Sequence, residues 1–176
     1  MASVAAAAAA GLAAAATAFA GIATKALNLG GELEQNLGGA EAVFGNFAEG
    51  VKKKADDAYK NMGLSASDFL ATANQMGALF QGSGFGIEES ADLSTKAMQR
   101  AADVASIMGI DVNSAMQSIA GAAKGNFTMM DNLGVAMNDT SLGAYAMSKG
   151  IEKSTSQMTQ QEKVALAMEM FLDKTA

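Results

Sequence analysis

No proline occurs anywhere in the 176 residues, so no pyrrolidine ring forces a helix to stop and every backbone N–H is available to a helical ladder. A single internal proline would cost a helix ~3 kcal/mol. Helix ends must therefore be set by glycine and by capping side chains. From residue 40 onward apolar residues recur at spacings of three and four. One series is Phe44, Phe47, Val51, Ala55, Ala58, Tyr59 and Met62; the next is Phe69, Leu70, Ala73, Met76 and Phe80. Ile87, Ala91, Leu93, Ala97, Ala101, Val104, Ala105 and Met108 follow, then Val112, Ala115, Met116 and Ile119, and last Val164, Ala167, Met168, Phe171 and Leu172. This is the period of amphipathic helices with one buried stripe each, and no stretch alternates with period two for long enough to make a strand. The fold class predicted is all-α: several short to medium helices joined by glycine-containing turns.

The stripes stop where glycine precedes a branched apolar residue, at Gly63-Leu64, Gly86-Ile87, Gly109-Ile110, Gly134-Val135 and Gly150-Ile151. Glycine enters the left-handed region without a Cβ clash, and the apolar residue behind it folds back onto the last turn. New helices are predicted to start at Ser65, paired with Asp68, at Asp111, and at Thr159, where Glu162 completes an S/T-x-x-E capping box.

Half of the residues fall in the apolar class, but 39 of them are alanine, which buries a single methyl group. The core expected is a shallow helix-on-helix one, with alanine and glycine allowing close approach and the 13 methionines filling gaps. Residues 1–24 carry no charged side chain, and from Met1 to Leu27 the bulky apolar residues after the start are Val4, Leu12, Phe19, Ile22 and Leu27. A bilayer span needs ~20 apolar residues, but alanine and glycine supply little insertion energy. The expectation is an Ala/Gly-rich helical leader over residues 1–39, with host-membrane contact through residues 1–31. Gly30-Gly31 and Gly38-Gly39 read as flexible breaks around residues 32–37, ahead of a helical region at 40–176.

The chain has no His, Cys or Trp. That excludes Ser-His-Asp hydrolysis, cysteine nucleophiles, iron–sulfur clusters and the usual zinc sites, and leaves the redox compartment open. A net charge of -6 argues against nucleic acid as a partner. Lys52, Lys53 and Lys54 form the one basic run, and Asp56 and Asp57 follow at once; the expectation is a solvated face with Lys52 paired to Asp56 at i,i+4. Gly82-Ser83-Gly84-Phe85-Gly86 has neither phosphate-loop fingerprint nor a preceding strand and reads as a joint, with Glu88, Glu89 and Asp92 placed at the positive end of the next helix dipole. Two carboxylates can hydrolyse a glycosidic bond without histidine, which makes Glu32 with Glu34, or Asp56 with Asp57, the candidate pairs. Both lie in polar stretches with no aromatic sugar platform. Asp111-Val112-Asn113 lacks calcium-loop spacing. No catalytic, cofactor-binding or metal-ligating residue is assigned.

An ordered set of short segments carries a family likeness: Ala42-Val43-Phe44-Gly45 with Val51-Lys52 and Ala55-Asp56; Gly63-Leu64-Ser65 with Asp68-Phe69-Leu70; residues 75–81; Glu89 with Ala91-Asp92-Leu93-Ser94; and Ala102-Asp103-Val104-Ala105-Ser106. Leu133-Gly134-Val135, Ala144-Tyr145-Ala146 with Lys149-Gly150-Ile151, and Met158-Thr159 with Glu162-Lys163-Val164 complete it. Through these segments the run from Ala42 to Ala176 resembles the core region of tail tape-measure proteins of long-tailed bacteriophages and prophages. The resemblance implies a mostly helical structural protein of the virion, made in the host cytoplasm and housed in the tail lumen. It implies a template for tail-tube polymerisation that sets tail length, with the tail-tube protein, tail assembly chaperones and further copies of itself as partners. It implies no catalytic residue. A fully helical chain at ~1.5 Å per residue reaches about 265 Å, less than an ordinary long tail requires, and the last stripe meets no Gly or Pro stop before Ala176, so a fragment or truncated copy is expected. The rival readings are a membrane-active secreted helical protein, led by residues 1–40, and a carboxylate-dependent cell-wall hydrolase module.

Overall fold

Capping residues at the starts of the helices and glycines at their ends decide where each element lies. A computed structural model of the protein describes residues 30–176, and among these it contains helices and turns but no strand, so the fold is all-α. Residues 1–29, which hold most of the leader and of its expected membrane contact, lie outside the described residues. The elements are α1 (30–44), α2 (Ala48–Asp56), α3 (Ala58–Met62), α4 (Ala66–Gly82), α5 (Ile87–Met108), α6 (Val112–Ala123), α7 (Asp139–Ser148) and α8 (Gln160–Lys174). Three 3-10 turns, Gly45–Phe47, Phe127–Leu133 and Thr155–Gln157, join them. Asn36–Ala176 forms one compact unit.

The helix starts lie where capping chemistry puts them. Ser65 accepts the Asp68 N–H, Asp111 accepts the Ser114 N–H, and Thr159 with Glu162 forms the full reciprocal box. A second box, Asn138 with Ser141, starts α7 and has no acidic partner to betray it in the sequence. At the stops, Gly63, Gly109 and Gly134 adopt the left-handed conformation (φ 69°, 67° and 73°), and Gly150 does so two residues past the end of α7 (φ 77°). Gly86 departs from the expected pattern. It is extended (φ −66°, ψ 162°) and serves as the N-cap of α5, while Gly84 takes the positive φ. The reversal must come before Phe85, whose buried ring packs edge-on against Phe80 at 5.7 Å, so the left-handed residue falls two positions early.

Neither Gly30-Gly31 nor Gly38-Gly39 breaks the chain; the first pair opens α1 as described and the second lies inside it. A Cβ at Gly39 would strike the amide of Asn74 on α4, and that amide donates to the Asn36 carbonyl at 2.9 Å. Asn36 in turn donates to the backbone oxygen and hydroxyl of Ser67 at 3.1 and 2.9 Å. Glycine is used here for close approach between helices, which periodicity alone does not distinguish from a break.

Helices α4, α5 and α6 pack against one another, α2 lies against α4 and α5, and α8 lies against α5, α6 and α7. Phe44, Phe69, Phe80, Phe171, Leu70, Ile119 and Leu142 are wholly or almost wholly buried. Ala73, Ala97, Ala101, Ala105, Ala115, Ala122 and Ala167 line the seams at zero exposure, with Met76, Met98, Met130 and Met137 between them. This is the alanine–methionine core that the composition predicts. Some stripe members point outward instead: Tyr59 is 76% exposed, and Phe47, Ile87 and Met108 are between 40% and 48% exposed. Tyr59 misses the core because the chain breaks at Asp57 between α2 and α3; the helical phase restarts there, turning Ala58 and Met62 inward and Tyr59 outward. The last stripe ends at Lys174, where the Thr175 hydroxyl and N–H both return to the Phe171 carbonyl and Arg100 on α5 donates to the Thr175 oxygen at 2.7 Å.

Candidate functional site

The residues that the sequence singles out for chemistry are dispersed. Glu32 and Glu34 lie exposed on α1, and Asp56 and Asp57 lie exposed at the α2–α3 break, where Asp57 approaches Lys60 at 3.8 Å. Asp111 is spent on its cap, accepting from both the backbone and hydroxyl of Ser114. Among the described residues no group of three acidic side chains converges as a metal site would need. In the glycine-rich joint the amides point inward: Ser83 donates to Leu79 and Phe80, Gly84 to Gln81, and Phe85 to Phe80. A phosphate cradle requires free N–H groups, and these are already committed to carbonyls. Glu88 and Glu89 occupy the first turn of α5, as expected, while Asp92 pairs with Lys96 at 2.8 Å.

The basic run is dispersed as well. Lys52 does not pair with Asp56; it reaches Glu41 on α1 at 2.5 Å and lowers the pKa of that carboxyl through the hydrogen bond and its charge. Lys54 donates to the hydroxyl of buried Thr95 on α5 at 2.6 Å. Three adjacent lysines on one helix thus point in different directions, because successive residues sit about 100° apart around the axis.

The densest charged constellation joins α7 to α8. Lys149 contacts Asp173 at 2.7 Å and Glu169 at 2.9 Å, and its ammonium lies 5.2 Å from the centre of the Tyr145 ring. The Tyr145 hydroxyl donates to Asp173 at 2.5 Å. The Asp173 bond and then the Glu169 bond raise the Lys149 pKa, while Lys149 and then Tyr145 lower that of Asp173. Burial, followed by the bond to Asp173, raises the Tyr145 phenol. A second tie, Lys153 to both oxygens of Glu162 at 2.8 and 2.7 Å, holds that carboxyl at about 2, with the Thr159 N–H adding to the effect. Each group is pushed further into the charge state it already holds at neutral pH. General acid–base catalysis needs the opposite, a group poised near the working pH, so the cluster is built as a clamp. Sequence spacing gave no hint of the Tyr145–Asp173 bond, whose partners stand 28 residues apart.

Two small cavities share a wall along the seam between α2–α3 and α5. One, of about 230 Å³, is bordered by Phe47, Val51, Ala91 and the carboxylates Glu88 and Asp92; the other, of about 390 Å³, by Lys53, Asp57, Asn61, Lys96 and Gln99; Lys54 and Thr95 border both. A cavity of about 450 Å³ between α4 and α6 is edged by Gln75, Gln117, Lys124 and Met129. No described helix is long and apolar enough to cross a membrane. Comparison of the chain with protein-family models, curated proteins and solved structures gives no match.

Proposed function

We propose that the chain is a tape-measure polypeptide of a phage tail, a helical structural element around which tail-tube subunits polymerise. The observation that carries the reading is the ordered set of segments between Ala42 and Ala176, and the work those segments do in the fold supports it. Gly63-Leu64-Ser65 with Asp68-Phe69-Leu70 is a complete stop-and-start unit: a left-handed glycine, a buried leucine, a capping serine, and two buried residues on the next helix. Leu133-Gly134-Val135 makes a similar stop with both apolar residues buried. Tyr145 and Lys149 form the α7 side of the clamp, and Thr159 with Glu162 starts α8. Such a protein acts through geometry: it offers helices of fixed rise and a mostly acidic surface to the tube that encloses it. The partners proposed are the tail-tube protein, tail assembly chaperones and further copies of the chain. Assembly takes place in the host cytoplasm, and residues 1–31 contact the host membrane at delivery.

Coexpression with the tail-tube protein of the same virus or prophage tests the assignment. Tubes that contain the chain in their lumen, with a narrower length distribution than tubes formed without it, are expected. Tubes of unchanged length distribution that exclude the chain would sink the assignment. Leakage of dye from anionic liposomes, compared between the full chain and a chain lacking residues 1–31, tests the membrane contact.

A further inference from the structure

Gly45 alone separates two helices that otherwise run on from each other. Phe44, Phe47 and Ala48 all hold right-handed helical angles, and within residues 44–48 only Gly45 has a positive φ, 51°. The turn Gly45–Phe47 that it opens contains no buried residue, whereas Phe44 before it and Ala48 after it are buried. Helices α4, α6, α7 and α8 each begin at a side-chain cap; α2 begins without one. Nothing local therefore fixes residue 48 as a helix start. Glycine enters the left- and right-handed regions about equally readily, so a flip of this one residue, with the 3-10 turn relaxing to α-helix, joins α1 and α2 into a single helix.

What holds the bend is the seam of residues 36–44 with α4. Ser67, Asn74 and Gln81 stand seven residues apart along α4, and each engages α1. Ser67 accepts from the Asn36 amide at 2.9 Å, Asn74 donates to the Asn36 carbonyl at 2.9 Å, and Gln81 donates to the Val43 carbonyl at 2.8 Å. Phe44 lies against Gly77, and Glu41 pairs with Lys52 on α2. In the straight form residues 41 and 52 stand ~16 Å apart along one helix, and Phe44, which has no exposed surface in the bent form, loses its cover. A lone straight chain forfeits all of these contacts. A second copy restores every one of them, because its α4 and its Lys52 are identical.

We infer that Gly45 is the hinge of an exchange between two copies of this chain, in which α1 straightens onto α2 and docks, reciprocally, on α4 of the other copy. The seam contacts are the same in the closed monomer and in the exchanged pair. Only the hinge differs, so concentration and the conformational preference of residue 45 set the balance. The two hinges meet where each straight helix crosses from its own fold to the other. Phe47, 40% exposed in the turn, is the large apolar residue at that crossing and gains cover there. The exchange does not depend on the tail assignment, since it needs only residues 36–81 of two copies.

Gly45→Ala tests the hinge in the full chain. A Cβ there meets nothing within 4 Å, so the methyl group acts on the backbone alone, and alanine disfavours the left-handed region roughly tenfold. A pair holds two hinges, so its Kd should fall roughly a hundredfold. Light scattering after gel filtration, on chains refolded across a concentration series, should show a dimer fraction that rises with concentration and is far larger in Gly45→Ala. Inserting Gly-Ser-Gly between Gly45 and Asn46 interrupts the joined helix and should return the variant to monomer. The chain has no cysteine, so Asn36→Cys/Ser67→Cys introduces a single pair across the seam. Treated with a short bis-maleimide, the dimer fraction should give covalent dimers and the monomer fraction only chains linked within themselves. The inference is overturned if folded Gly45→Ala stays monomeric after refolding at millimolar concentration, if the dimer fraction yields no covalent dimer, or if the insertion leaves that fraction unchanged. Should Gly45→Ala lose its helical circular dichroism, the parent chain at millimolar concentration decides by the same cross-link: covalent dimers support the exchange and their absence overturns it.

Discussion

Gly77→Ala and Gly50→Ala place the same methyl group on two helices and should change stability in opposite directions. Both glycines are helical, on α4 and α2, and glycine in a helix interior is about 1 kcal/mol worse than alanine. At Gly50 a Cβ meets nothing within 4 Å, so the substitution should recover roughly 0.5–1 kcal/mol. At Gly77 the Cβ would overlap the Cε1 and Cζ carbons of the Phe44 ring and lie 2.9 Å from Cγ1 of Val43. Phe44 has no exposed surface, so its ring cannot swing aside without leaving the core. Overpacking costs about 1–3 kcal/mol, and overlap with two ring carbons as well as with Val43 places this case at about 2–3 kcal/mol, so after the propensity gain a net loss of about 1–2 kcal/mol remains. For a unit of this size 1 kcal/mol moves Tm by ~2–4 °C, so Gly77→Ala should melt roughly 2–8 °C lower than the parent and Gly50→Ala slightly higher. Thermal unfolding followed by circular dichroism at 222 nm reads both. A double-mutant cycle with Phe44→Leu should show that most of the Gly77→Ala penalty depends on the ring. If Gly77→Ala melts at or above the parent, Phe44 does not rest on α4 as described and the close approach of α1 to α4 is wrong.

Other outcomes follow from the caps and the clamp. Thr159→Ala removes one side of the α8 capping box and should cost ~1 kcal/mol in urea denaturation with an unchanged m-value. Glu162 and Asp173 have folded-state pKa values below their unfolded ones, so their contribution is complete above the unfolded pKa and disappears as pH falls through the folded one. For Glu162 the window runs from its ordinary value of 4.5 down to about 2; Tm measured from pH 6 to pH 2 should fall across it, and Glu162→Gln should flatten that part of the profile. Tyr145→Phe should lower the Tm at neutral pH and leave a smaller acid-dependent loss, because Asp173 then keeps Lys149 as its only side-chain partner in the cluster. Ser90 is fully buried and its hydroxyl has no hydrogen-bond partner among the described residues, so Ser90→Ala should be neutral or stabilising by up to ~1 kcal/mol, and a clear loss of stability would show that the hydroxyl is satisfied.

Periodicity and caps were legible in the sequence because both are local. Ser65, Asp111 and Thr159 satisfy N–H groups three residues away, and the stripe through Val164, Ala167, Met168 and Phe171 needs only a helix to be read. What could not be read depends on the neighbour across a seam. Gly39 looks like a break until Asn74 is seen against it, and Gly86 looks like a stop until Phe85 is seen to need the reversal earlier. Lys52 has Asp56 at the favourable i,i+4 spacing, yet α1 brings Glu41 closer. The clamp was missed for the same reason, since Asp173 and Tyr145 meet only when α8 returns against α7. The seam cavities went unseen too: a run of lysines shows charge in the sequence, but their separate directions become visible only once Thr95 and Glu41 have taken two of them.

The short joints between self-capped helices also set the kinetics of folding. Each cap closes a loop of three residues, and the joint from α4 to α5 spans only residues 83–86, so most native contacts near these points lie close in sequence. Closing such loops takes tens of nanoseconds, and domains rich in local contacts fold within microseconds to milliseconds. The pairing of α1 with α4 must instead bring Asn74 to Asn36 across 38 residues, and the Arg100–Thr175 bond spans 75. These two distant ties are expected to form last, after the local helices exist to present them. Weakening either one should speed unfolding while leaving the folding rate almost unchanged.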